Sequence, residues 1–66
     1  MMTRNDFELL ANALKSERAG IERTYTGDKL KNRLLGFSYA VRCVIEVCKA
    51  SNARFDAAKF RRACGL

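Results

Sequence analysis

The chain has 66 residues, 48 % of them apolar and none of them proline, and carries a net charge of +6 with no histidine. That length admits one domain with one hydrophobic core, and the composition excludes both a disordered tail and a loop-rich scaffold. Below about 70–80 residues a single core rarely supplies more than about 3–5 kcal/mol, so dimerisation enters as a natural way to complete it.

The expected fold class is all-α: one small three-helix domain over residues 1–66, with a long central helix and helices over about 4–18, 27–50 and 57–64. The first helix opens at Thr3, a good N-cap residue, with Asp6 three positions on in capping-box register. Phe7, Leu10, Ala11 and Leu14 follow at the spacing that aligns four apolar side chains on one helical face. Gly20 stands where that helix is expected to fade. Residues 20–27 mix Ile21 and Tyr25 with charge and threonine, and read as a connecting loop.

Thr26 is placed to cap the second helix, with Asp28 in the first turn, where the helix dipole favours an anion. Leu30, Leu34, Phe37, Val41, Val44 and Cys48 alternate four and three residues apart, a heptad-like stripe. Leu35, Ala40, Cys43, Ile45 and Val47 widen it past half the circumference at about 100° per residue. A helix so apolar is expected at the centre of the fold. Gly36 interrupts it at a cost of roughly 1 kcal/mol relative to alanine, which points to close approach of a neighbouring helix.

Ser51 and Asn52 break the second helix. Asp56 caps a third, whose inner face is Ala57, Phe60 and Cys64, and Gly65 can end it in the left-handed conformation. At each start an apolar residue precedes the cap and another follows five positions later: Met2 with Phe7, Tyr25 with Leu30, Phe55 with Phe60. This is the register of a hydrophobic staple.

The chemistry-bearing residues point away from catalysis. Without histidine the usual general base is missing, and the carboxylates are scattered singly at caps and exposed turns, so no enzyme activity is expected. Cys43 and Cys48 lie about 140° apart on a helix and cannot hold one metal ion together, so no metal site is expected. Cys48 and Cys64 fall on inner faces and read as small core hydrophobes. The four glycines lack phosphate-loop or dinucleotide spacing, so no nucleotide or other cofactor is expected.

Three cysteines, an odd number, with no N-terminal signal peptide fit a reducing cytoplasm better than a secreted disulfide framework. The longest apolar stretch is interrupted by Arg42 and Glu46 and is too short to span a bilayer, so no membrane partner is expected.

What remains is basic charge, all of its excess lying beyond Glu22. Lys31, Ser38, Arg42 and Lys49 form a stripe about 27 Å long on the polar side of the second helix. Arg54, Lys59, Arg61 and Arg62 extend the basic character into the third, with Lys59 and Arg62 directed away from Phe60. Such a surface suits phosphates or an acidic protein face. Sequence-specific reading of a DNA groove is weakly supported: the Ser51–Phe55 break has no glycine and the third helix barely two turns.

The string Arg54-Phe55-Asp56, then Lys59-Phe60, then Ala63-Cys64-Gly65-Leu66, resembles the ending of many short helical proteins encoded by bacteriophages and other bacterial mobile elements. The start, Met2-Thr3-Arg4 leading through Phe7 into a leucine and alanine helix, is similar to theirs as well. The resemblance implies a small product of an infected or plasmid-bearing bacterium, located in the host cytoplasm. It implies no catalytic residues. Proteins of this kind often act stoichiometrically on host machinery, including restriction and CRISPR defence complexes.

The leading expectation is therefore a helical interaction protein that binds a host protein or nucleoprotein through its basic face or its surplus apolar stripe. The first alternative is a nucleic-acid-binding accessory protein using the basic residues against phosphates. The second is a homodimeric assembly protein.

Overall fold

The computed structural model describes residues 2–66 as three α-helices: α1 (Arg4–Thr24), α2 (Gly27–Ser51) and α3 (Ala57–Ala63). The protein is all-α, as its patterning requires.

α1 starts on a complete capping box. The Asp6 backbone N–H donates to the Thr3 hydroxyl oxygen at 3.3 Å, and the Asp6 carboxylate accepts from the Thr3 N–H at 2.9 Å and from its hydroxyl at 3.1 Å. These bonds, the one from the Thr3 backbone first, hold the Asp6 carboxyl below its ordinary pKa. The helix then runs past the expected stop at residue 18 and ends at Thr24, so the loop expected over residues 20–27 shrinks to Tyr25 and Thr26. The reason is packing: Ile21 stands seven residues after Leu14, on the same face, and joins it against the core. An Arg18–Glu22 ion pair at 2.7 Å and a bond from the Thr24 hydroxyl to the Gly20 carbonyl at 2.7 Å brace the turn that glycine weakens.

Thr26 sits at the N-cap position of α2, but its side chain makes no capping bond. Gly27, with φ +61°, supplies the left-handed residue at this reversal. α1 and α2 are antiparallel, as the 3.2 Å bond from the Met2 N–H to the Ser51 hydroxyl oxygen at their far ends records. The 25 residues of α2 set the long dimension of the molecule, which measures 38 × 17 × 16 Å.

Asn52 makes the next turn, accepting from the Arg54 N–H on its side-chain oxygen at 2.9 Å and from the Phe55 N–H on its carbonyl at 3.0 Å. The Asp56 carboxylate caps α3 by accepting from the Lys59 N–H at 3.1 Å. At the other end the Leu66 N–H bonds to the Arg61 carbonyl and the Gly65 N–H to that of Arg62, with Gly65 at φ +83°. That pattern is a Schellman motif. Phe55 lies against Phe7 and Gly65 near Lys15, so α3 runs parallel to α1 along its first half.

The core is Ala11, Phe37, Val41, Ile45, Phe60 and Cys64, with Leu10, Leu14, Ile21, Val44, Phe55 and Ala57 packed around it. α2 contributes its heptad-like stripe, and Ile45 is buried beside it, as expected. Cys48 and Cys64 are fully buried, and burial pushes both thiols above their ordinary pKa.

Leu35, Ala40, Cys43 and Val47 are exposed, the apolar surplus that α1 and α3 leave uncovered because they reach around only one side of the helix. One expectation for α2 is corrected. Gly36 has no helix against it, since a Cβ built there meets nothing within 4 Å.

Candidate functional site

A groove of about 360 Å³ lies where the start of α1, the α2–α3 turn and α3 converge. Its floor is aromatic. The Phe7 and Phe55 rings meet at 4.8 Å between centroids and those of Phe55 and Phe60 at 5.3 Å, both tilted by nearly 60°. Such angles suit the ring quadrupoles better than stacking face to face. Phe60 is buried, whereas Phe7 and Phe55 remain half-buried and present apolar surface to the groove.

Arg4, Arg54 and Lys59 stand around this floor, along with Glu8 and Asp56. The acids are occupied. Glu8 pairs with Arg4 at 3.3 Å, and the Asp56 carboxylate serves the amide of Lys59 at the start of α3. Arg54 and Lys59 have no ion-pair partner among the described residues, so the uncommitted side-chain charge at the groove is cationic. An aromatic floor beside free cations can accept an apolar side chain together with a neighbouring carboxylate or phosphate.

All seven basic residues expected to bind a partner are exposed, but they do not form one site. Arg54 and Lys59 share the groove. Arg61 and Arg62, also on α3, do not line it. Lys31, Arg42 and Lys49 keep their alignment on α2, and Ser38 within that stripe is half-buried. The Arg42 guanidinium lies over the Tyr39 ring at 5.7 Å, and Lys49 pairs with Glu46 at 3.4 Å, so neither projects freely.

The sequence reading missed Arg4 and Phe7 as groove residues. Phe7 was visible as a core position and Phe55 as half of a staple, but no local signal joins the two ends of the chain. The exposed Tyr39 was missed as well.

Among the described residues, no helix is long and apolar enough to cross a membrane. Compared with known proteins, the chain matches no family model, no curated protein sequence and no solved structure.

Proposed function

We propose that the chain is a stoichiometric interaction protein of bacteriophage or mobile-element type, which binds an acidic, apolar segment of a host protein or nucleoprotein in the groove between α1 and α3. One observation carries this reading: the half-buried Phe7 and Phe55 rings lie beside Arg54 and Lys59, the groove's uncommitted charges. The aromatic floor supplies apolar burial and the cations select the sign of the ligand. The resemblance of both chain ends to mobile-element proteins is the reason to seek the partner in a bacterial host, with defence complexes as first candidates.

The test is affinity capture from bacterial lysate on the immobilised chain, with and without nuclease, followed by mass spectrometry. Capture of a defined host protein or complex irrespective of nuclease is the expected result. Capture that vanishes with nuclease replaces this reading with the second one, a nucleic-acid-binding accessory protein. The observation favouring that alternative is that, of Lys31, Arg42, Lys49, Arg54, Lys59, Arg61 and Arg62, all exposed, only Lys49 is ion-paired. Affinity dominated by phosphate contacts falls steeply with salt, whereas affinity anchored on the aromatic floor falls less.

A further inference from the structure

The end of the molecule that holds the α1–α2 turn carries cations the fold leaves unpaired. α3 ends beside Lys15, so the rest of α1, the turn and the start of α2 project about 13 Å beyond it. Arg23, Lys29, Lys31 and Arg33 are exposed there, and none has an ion-pair partner among the described residues. Glu22 is taken by Arg18 at 2.7 Å, Glu17 stands about 10 Å back from the end of α1, and Asp28 is the single carboxylate in the first three turns of α2. The Arg33 guanidinium lies 4.8 Å from the centre of the Tyr25 ring, which holds the cation without neutralising it. Tyr25, Lys29, Asn32 and Arg33 together line a shallow depression of about 390 Å³ with no carboxylate in its wall.

The register of α2 sets the direction of each side chain, at about 100° per residue. Outward is opposite the mean direction of the buried Phe37, Val41, Ile45 and Cys48. Asn32 points outward to within about 5°. Lys29 and Arg33 lie about 65° and 105° to one side of it, and Lys31 and Arg42 about 95° and 75° to the other. Between these two rows stand Asp28, Asn32, Leu35, Gly36 and Tyr39, all exposed. Over residues 28–42 the free face of α2 is therefore a convex ridge bordered by cations on both sides.

We infer that this ridge is a site for duplex DNA, with the first half of α2 seated in the major groove and its two rows of cations on the phosphates of the two strands. A helix about 10–12 Å across fits a major groove about 12 Å wide, and a groove has two anionic walls for the two rows. Asp28 and Asn32 then face base edges and not phosphates, where a carboxylate can accept from cytosine and an amide can pair with adenine. The space over Gly36 is open, which lets the backbone come close to the bases. Glu46, the next carboxylate on this face, is about 20 Å along the axis from Arg33, where a straight helix has left the curving groove. The reading helix is thus α2 and not the two-turn α3. The groove between α1 and α3 lies at the opposite end of a molecule 38 Å long, so the two sites can be occupied together.

The test is fluorescence anisotropy of a labelled DNA duplex of about 20 base pairs titrated with the full chain between about 50 and 200 mM salt. An RNA duplex of matching sequence and a poly-glutamate competitor are run beside it. DNA is expected to bind at least about tenfold more tightly than RNA, whose deep, narrow major groove does not admit a helix, and poly-glutamate is expected not to displace it. Lys29→Ala with Arg33→Ala is expected to weaken DNA binding at least about tenfold and to lower the slope of log affinity against log salt by about two. Arg61→Ala with Arg62→Ala, which removes the same charge from α3, is expected to change the affinity less than about threefold. Circular dichroism confirms the helix content of each variant. Both variants are expected to capture the partner of the α1–α3 groove as before, so this inference and the groove reading fail separately. Absence of binding to the DNA duplex at the lowest salt, equal affinity for the RNA duplex, displacement by poly-glutamate, or equal loss in the two double variants would each overturn the inference.

Discussion

Phe7 and Phe55, at opposite ends of the chain, meet with their ring centroids 4.8 Å apart, and that contact both fastens α3 to α1 and makes the groove floor. Phe55→Ala removes the ring from both Phe7 and Phe60. The expected cost is about 2–3 kcal/mol, the range for losing a largely buried aromatic with its ring pairs, measured as a lower urea midpoint at unchanged slope. Phe55→Leu, which retains apolar volume, is expected to recover more than half of that loss.

The two sides of α2 separate in the same experiment. Val41 is fully buried, and Val41→Ala is expected to cost about 2–3 kcal/mol through lost burial and a residual cavity. Leu35 is half exposed, and Leu35→Ala is expected to change stability by less than about 0.5 kcal/mol. Gly36→Ala is expected to stabilise by about 0.5–1 kcal/mol, because the helix gains propensity and the added methyl meets nothing.

The punctuation of the fold was legible in the sequence because capping is local. Thr3 with Asp6, Asp56 with the Lys59 amide, and Gly65 in the left-handed region each act within five residues, and each performs the function its position implies. Gly20 was misleading for the same reason. As a local signal it reads as a stop, and what carries α1 through it is the packing of Ile21 in a core assembled from all three helices. The inward stripe of α2 was legible from periodicity alone. Which of its remaining apolar residues would be covered was not, because that depends on how far α1 and α3 reach around it. The groove was the least legible feature, since Phe7 and Phe55 become neighbours only when the two chain ends meet.

Capping makes stability depend on pH in a known direction. The Asp6 carboxyl is depressed in the folded state by its bonds from Thr3, so its contribution is present above the unfolded carboxylate pKa and is lost as pH falls through the folded value. Asp6→Asn is therefore expected to flatten the acid limb of a stability-versus-pH curve. Thr3→Ala, which removes the cap hydroxyl, is expected to cost about 1 kcal/mol at neutral pH.

The cysteines divide by burial. Cys43 is exposed, whereas Cys48 and Cys64 are buried and their thiols are raised by desolvation. A thiol reagent is expected to modify one cysteine rapidly in the native protein and the other two only at the rate of opening. The raised thiols also stabilise the fold below the unfolded thiol pKa, and that contribution is lost as pH rises through the folded values.

The claim that the groove between α1 and α3 binds the partner meets its most direct test in a comparison of two variants with equal net charge. Arg54→Glu with Lys59→Glu reverses the groove's free cations, whereas Arg61→Glu with Arg62→Glu reverses the same charge outside it. The measurement is the affinity of each for the captured host protein at physiological salt, with helix content confirmed by circular dichroism. The account predicts that the first variant loses binding and the second retains it within a few-fold. Retention by both, or equal loss by both, would contradict it and assign the binding to another surface or to diffuse charge.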